Sequence, residues 1–154
     1  MYRRPMVPAG FFVPLGLETP EFILRPLTIH DVVRDFDAVM TSADHLRGLM
    51  EPDSEWPDGL TLEENLIDLA WHQREFTSRH SFAYTVVAPD GAVCLGCCYI
   101  NPPADHENDA DAFWWARQSR LADGLEQRLG FAFKAWLARD WPFAHVAFPG
   151  RPLT

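Results

Sequence analysis

The segment best equipped for chemistry runs from Phe113 to Leu129. Phe113-Trp114-Trp115-Ala116 is a short apolar run, rich in strand formers and too short for a helix. A polar turn follows at Arg117-Gln118-Ser119-Arg120. Then Leu121, Leu125, Leu129, Ala132 and Trp136 recur at helical spacing. A strand entering a helix through a short loop with a glycine, here Gly124, builds an anion pocket. Backbone N–H groups at the helix start are unpaired, and the helix dipole favours negative charge there.

Other reactive side chains point less sharply. Cys94, Cys97 and Cys98 share one apolar segment, but no second Cys or His cluster follows at metal-ligand spacing. They read as buried small hydrophobes, reduced and metal-free, with Cys94 and Cys98 on one face of a strand and Cys97 on the other. Asp105, Glu107 and Asp109 alternate without the glycine and final glutamate of a calcium loop. The six histidines are scattered. The chain has neither a Gly-x-Ser-x-Gly elbow nor a phosphate loop, which argues against hydrolase and NTPase chemistry.

Charge narrows the partners. Net charge is −9, with one lysine, Lys134, against twelve arginines. An acidic surface is a poor match for nucleic acid, whose phosphates need clustered positive charge. Glu51 to Asp68 holds seven acidic residues and no Lys or Arg. It reads either as a solvated loop and helix face or as an acidic rim that draws in a cationic amine. No apolar stretch is long enough to span a membrane, and prolines interrupt the N-terminus too early for a signal peptide, so a cytoplasmic location is expected.

These residues need a scaffold. Residues 1–20 are proline-rich and read as an extended arm packed on a single domain at 21–154. Glu21–Leu27 reads as a strand. Thr28 with Asp31 makes a variant capping box ahead of a helix whose apolar stripe includes Ile29, Val33, Phe36 and Met40. Thr61 with Glu64 makes a second capping box, for a helix ending near His80 and burying Leu62, Leu66, Leu69 and Phe76. Residues 81–88 and 92–100 form a hairpin about Pro89-Asp90-Gly91. A strand near 111–117, a helix from about Leu121 to 138, and a last strand at 143–148 complete the order.

That order, together with Ile23-Leu24-Arg25-Pro26-Leu27 and the strand–turn–helix at 113–129, resembles the GCN5-related N-acetyltransferases (GNAT). The resemblance covers roughly residues 21–148. It implies an α/β (α+β) fold with a mixed, mostly antiparallel sheet flanked by helices. The sequence ends six residues after Phe148, so the family's usual final helix and two strands are expected to be absent, replaced by the arm or by a second subunit of a homodimer.

The resemblance further implies acetyl-CoA as co-substrate and a small-molecule or peptide amine as acceptor. Trp115 and Ala116 fall where strand backbone pairs with the pantetheine arm. Arg117, Arg120, Leu121, Ala122, Asp123, Gly124 and Leu125 form the phosphate-binding turn. Asp111 falls where a general base often sits, and Tyr99 on the neighbouring strand lines the acceptor side. Two positions depart from the pattern. Leu121 replaces Arg or Gln, and Glu126 replaces Gly or Ala. A glutamate there adds bulk and opposes a phosphate charge by about 3–4 kcal/mol before screening. It reads alternatively as a first-turn acid stabilising its helix. The function expected is therefore direct acyl transfer to an amine or, if acetyl-CoA chemistry has been lost, a non-catalytic binding module.

Overall fold

Local signals set most of the elements. In the computed structural model, which describes residues 3–152, strand β1 is Leu17–Glu18 and β2 is Ile23–Pro26. At Thr28 the side chain accepts from His30 N, and Asp31 accepts from Thr28 N at 2.9 Å. This box opens a 3₁₀ turn, Ile29–Asp31, that runs into helix α1, Val32–Met40. Helix α2 is Ala43–Leu46. The Thr61–Glu64 box starts α3, Leu62–Thr77, with both reciprocal hydrogen bonds made. The hairpin is β3, Phe82–Val87, and β4, Cys94–Asn101, followed by β5, Ala110–Ala116. Helix α4, Leu125–Asp140, crosses over to β6, Val146–Ala147. Among the described residues no helix or strand follows β6.

The six strands lie in sequence order. All neighbours are antiparallel except β5 and β6, which run parallel and pair only at Ala110–Val146 and Asp111–Ala147. The crossover helix makes that parallel pair possible. One sheet face packs on α4 and on the N-terminal segment, through Val7, Phe82, Tyr84, Trp114, Phe133 and Trp136. The other packs on α1, α2 and α3, through Val39, Leu46, Leu69, Cys97 and Trp115. The N-terminal segment is tied down by Met6 N donating to Arg79 O and by Arg79 donating to the carbonyls of Pro8 and Phe11.

Three sequence expectations need correction. The helix after β5 starts at Leu125, not near Leu121. Gly124 at φ 82° caps it, and residues 118–120 form a separate 3₁₀ turn, because a left-handed residue interrupts α-helical continuity. Leu62 and Leu66 are exposed, as are Ile29 and Val33 of the first stripe. Helix α3 turns Asn65, Leu69, His72 and Phe76 inward instead, and the side chain of Asn65 is held by a buried hydrogen bond to Asp35. Finally, Cys94 and Cys97 share a face while Cys98 lies on the other. A bulge between Val86 and Val87 pairs Val87 with Cys94 but Val86 with Gly96, and the extra residue reverses the alternation before it. All three thiols are buried, and burial pushes each pKa up, that of Cys94 to about 12. No group of three metal-ligating side chains occurs among the described residues.

Candidate functional site

The end of β5 and the start of α4 converge on one carboxylate, that of Glu126. It is 7% exposed. Its Oε1 accepts from Ala116 N at 3.1 Å and from His45 Nε2 at 2.6 Å, and its Oε2 accepts from Arg151 Nη1 at 3.0 Å. Burial alone would raise its pKa. The hydrogen bonds from His45, Arg151 and the Ala116 N–H overcome that and hold it at about 2. Arg151 also donates through Nη2 to the Trp114 carbonyl, and its guanidinium lies 4.1 Å from the Trp114 ring centroid. The Trp114 indole N–H donates to Glu126 O at 3.0 Å.

The remaining turn residues are engaged locally. Arg117 donates to Cys94 O and reaches Asp37 on α1. Arg120 and Arg128 pair with Asp123 and Glu21 and not with Glu126. Asp123 Oδ1 accepts from Leu125 N, and Gly124 N donates to Leu121 O. Ala122 and Asp123 are exposed and Leu121 half-buried. Trp115 is fully buried, with its indole donating to the Tyr99 hydroxyl at 3.1 Å. Asp111 is 8% exposed and accepts from Ala104 N at 3.1 Å, closing the 102–110 loop.

A cavity of about 280 Å³ opens on the α1–α3 face of the sheet. Its walls include Trp56, Leu69, His72, Tyr99 and Phe113, and its charged lining is Asp35, Glu51 and Asp68, with no Lys or Arg. Asp35 is 4% exposed. Its Oδ2 accepts from Asn65 Nδ2 at 3.0 Å, and no described residue donates to its other oxygen. Burial raises its pKa to about 6 against the Asn65 hydrogen bond, with Asp31 and Asp68 adding to the rise. Burial lowers the pKa of His72, favouring a neutral ring, and raises that of Tyr99 far enough to keep the phenol protonated. Glu51 and Asp68 are the two ends of the acidic 51–68 run, which therefore edges this cavity.

Of the residues singled out in the sequence, Trp115 and Ala116 end β5, Arg117 to Gly124 form the connection after it, Leu125 opens α4, and Tyr99 lines the cavity. Asp111 sits on the strand next to Asn101, a cavity residue, but is not itself in the lining. Sequence reasoning missed Asp35, Asn65, His72, His45 and Arg151. No local pattern marks them, since their partners lie tens of residues away.

No protein-family model matches the sequence, and no curated protein matches it. Solved structures do. The ribosomal-protein-S5-alanine acetyltransferase of Vibrio fischeri matches at TM-score 0.63 and 15% identity, over 80% of this chain and 67% of that one. RimL, the ribosomal L7/L12 α-N-protein acetyltransferase, solved with coenzyme A, matches at 0.62 and 16%, over 82% and 67%. MccE, the microcin C7 self-immunity acetyltransferase, solved with acetyl-CoA and AMP, matches at 0.61 and 12%, over 80% and 67%. The chain has the fold of the GNAT acetyltransferases, a mixed α/β sheet flanked by helices. Among the described residues, no helix is long and apolar enough to cross a membrane.

The residues at the end of β5 and the start of α4 do not fit acetyl-CoA in the arrangement that the resemblance implies. The Ala116 N–H is held by Glu126, the Trp114 carbonyl by Arg151 and the Leu125 N–H by Asp123. Two carboxylates stand where a pyrophosphate would need free donors.

Proposed function

We propose that this chain binds a small-molecule amine, in its ammonium form, in the cavity between the sheet and helices α1 and α3. One observation carries the reading: Asp35, 96% buried, presents a carboxylate to a cavity that has no Lys or Arg in its lining. A buried carboxylate is costly unless paired, so a protonated amine that docks on it replaces lost solvation with a charge-assisted hydrogen bond. Trp56, Tyr99 and Phe113 supply apolar and aromatic surface for the body of the ligand. Such a protein is a binding module on an acetyltransferase fold, and a cytoplasmic location is proposed with it.

The experiment is a titration of benzylamine and butylamine, followed by NMR chemical shifts, against benzyl alcohol as the uncharged control. The amines are expected to bind and the alcohol to bind at least tenfold more weakly. Asp35→Asn is expected to remove that preference. Equal binding of amine and alcohol, or amine binding unchanged in Asp35→Asn, overturns the reading.

Acyl transfer from acetyl-CoA to the same amine is the second reading, favoured by the acetyltransferase fold. Under it Asp111, one strand over from the cavity residue Asn101, is the base candidate acting through a water relay, and Tyr99 lines the acceptor side. Production of an acetylated amine by the purified chain is its test.

A further inference from the structure

Between the two readings stands the cleft beside β5. We infer that Glu126, His45 and Arg151 form an internal ligand set that occupies the acyl-donor cleft, so that the folded chain closes this site with its own side chains.

The inference rests on separate observations. The start of α4 and the Ala116 N–H make an anion site, and it already holds an anion, the Glu126 carboxylate. Three donors from three parts of the fold satisfy that carboxylate: an imidazole from α2, a backbone amide from β5 and a guanidinium from the turn after β6. Beyond Asp111 and Ala147 the parallel strands no longer pair, and Arg151 bridges from Glu126 to the Trp114 carbonyl. An acyl-donor arm would need that same strand edge.

Trp114 packs closely on α4. Trp114 fills the space between β5 and α4, where Gly130 admits it: a Cβ on Gly130 would lie 2.4 Å from the Trp114 ring. The turn after β5 is also pinned to α2, since Gln118 N donates to Ser42 Oγ at 2.9 Å and His45 N donates to Gln118 Oε1 at 3.2 Å. Moving Glu126 away would break its contacts to His45, Ala116 N and Arg151 together, and moving Arg151 away would leave Glu126 Oε2 without its donor.

The test combines calorimetry and amide exchange. The wild-type chain is expected to give no binding heat with acetyl-CoA or with CoA at millimolar concentration. Its Ala116 amide is expected to be protected from exchange, and Glu126→Ala is expected to speed that exchange by at least tenfold relative to the rest of β5. The double variant Glu126→Gly with Arg151→Ala is expected to gain at least tenfold in acetyl-CoA affinity. Micromolar binding of acetyl-CoA by the wild type overturns the inference. So does a freely exchanging Ala116 amide, or a folded double variant that still fails to bind. If the double variant does not fold, the wild-type titration and the Ala116 exchange decide alone. Amine binding is read separately, so its failure leaves this result standing.

Discussion

Arg151 meets Glu126 across 25 residues of sequence, donating from Nη1 to Oε2 at 3.0 Å while its guanidinium stacks over the Trp114 ring. A carboxylate that should repel an anionic ligand is thereby converted into a structural anchor. The contact joins the start of α4, the edge of β5 and the turn after β6, three pieces that share no backbone ladder at that point.

Stability should follow the ionisation of Glu126 at low pH. Its folded pKa is about 2, below the ordinary 4.5. A depressed carboxyl stabilises the fold above its unfolded pKa, and the contribution is lost as pH falls from about 4.5 towards 2. The effect is roughly 3 kcal/mol. Glu126→Gln should lose most of this pH dependence in thermal melts between pH 2 and 5. An unchanged profile would show that the cluster does not hold the carboxylate.

Asp35 should behave in the opposite sense. Its folded pKa is about 6 against an ordinary 3.8. The unfolded chain releases the proton first, so stability falls as pH rises from about 4 to 6, by roughly 2–3 kcal/mol. Asp35→Asn keeps the group size and lets Asn65 go on donating. It should therefore raise the melting temperature at pH 7.5 while abolishing the amine preference. Stabilisation with loss of binding is the signature of a site kept for function at a cost in stability. A destabilised Asp35→Asn would contradict it.

Ligand affinity should report the same proton. Between pH 5 and 7 a primary ammonium stays charged while Asp35 ionises, so amine affinity should climb through about pH 6 and then level off. A flat profile over that range would remove Asp35 as the counterion.

Gly130→Ala tests the fit of Trp114 against α4. Alanine is the better helix former by about 1 kcal/mol. The added Cβ would nevertheless meet the buried indole at 2.4 Å, and the ring is held by its N–H bond to Glu126 O. Overpacking of this kind costs roughly 1–3 kcal/mol. A net fall in urea midpoint is expected, and a stabilised variant would show that the Trp114 packing is loose.

The sequence alone determined what depends on near neighbours. Thr28 with Asp31, Thr61 with Glu64, the Pro89-Asp90-Gly91 turn and the aromatic run before Gly124 specify elements within three or four residues, and their order was enough to indicate an acetyltransferase fold. Side-chain partners followed a different rule. Glu126 looked like an intruder in a phosphate site because His45, 81 residues away, and Arg151 could not be placed beside it. Asp35 was invisible as a site residue until α3 brought Asn65 against it, 30 residues on. The face of α3 that carries Asn65 and Leu69 is the buried one, and Leu62 and Leu66 lie in solvent. A one-residue bulge turned Cys94 to the face opposite the one its spacing indicated. Local propensity acts over a few residues of backbone. The pairing of a buried charge, and the face a residue presents after a bulge, are settled only when distant segments pack.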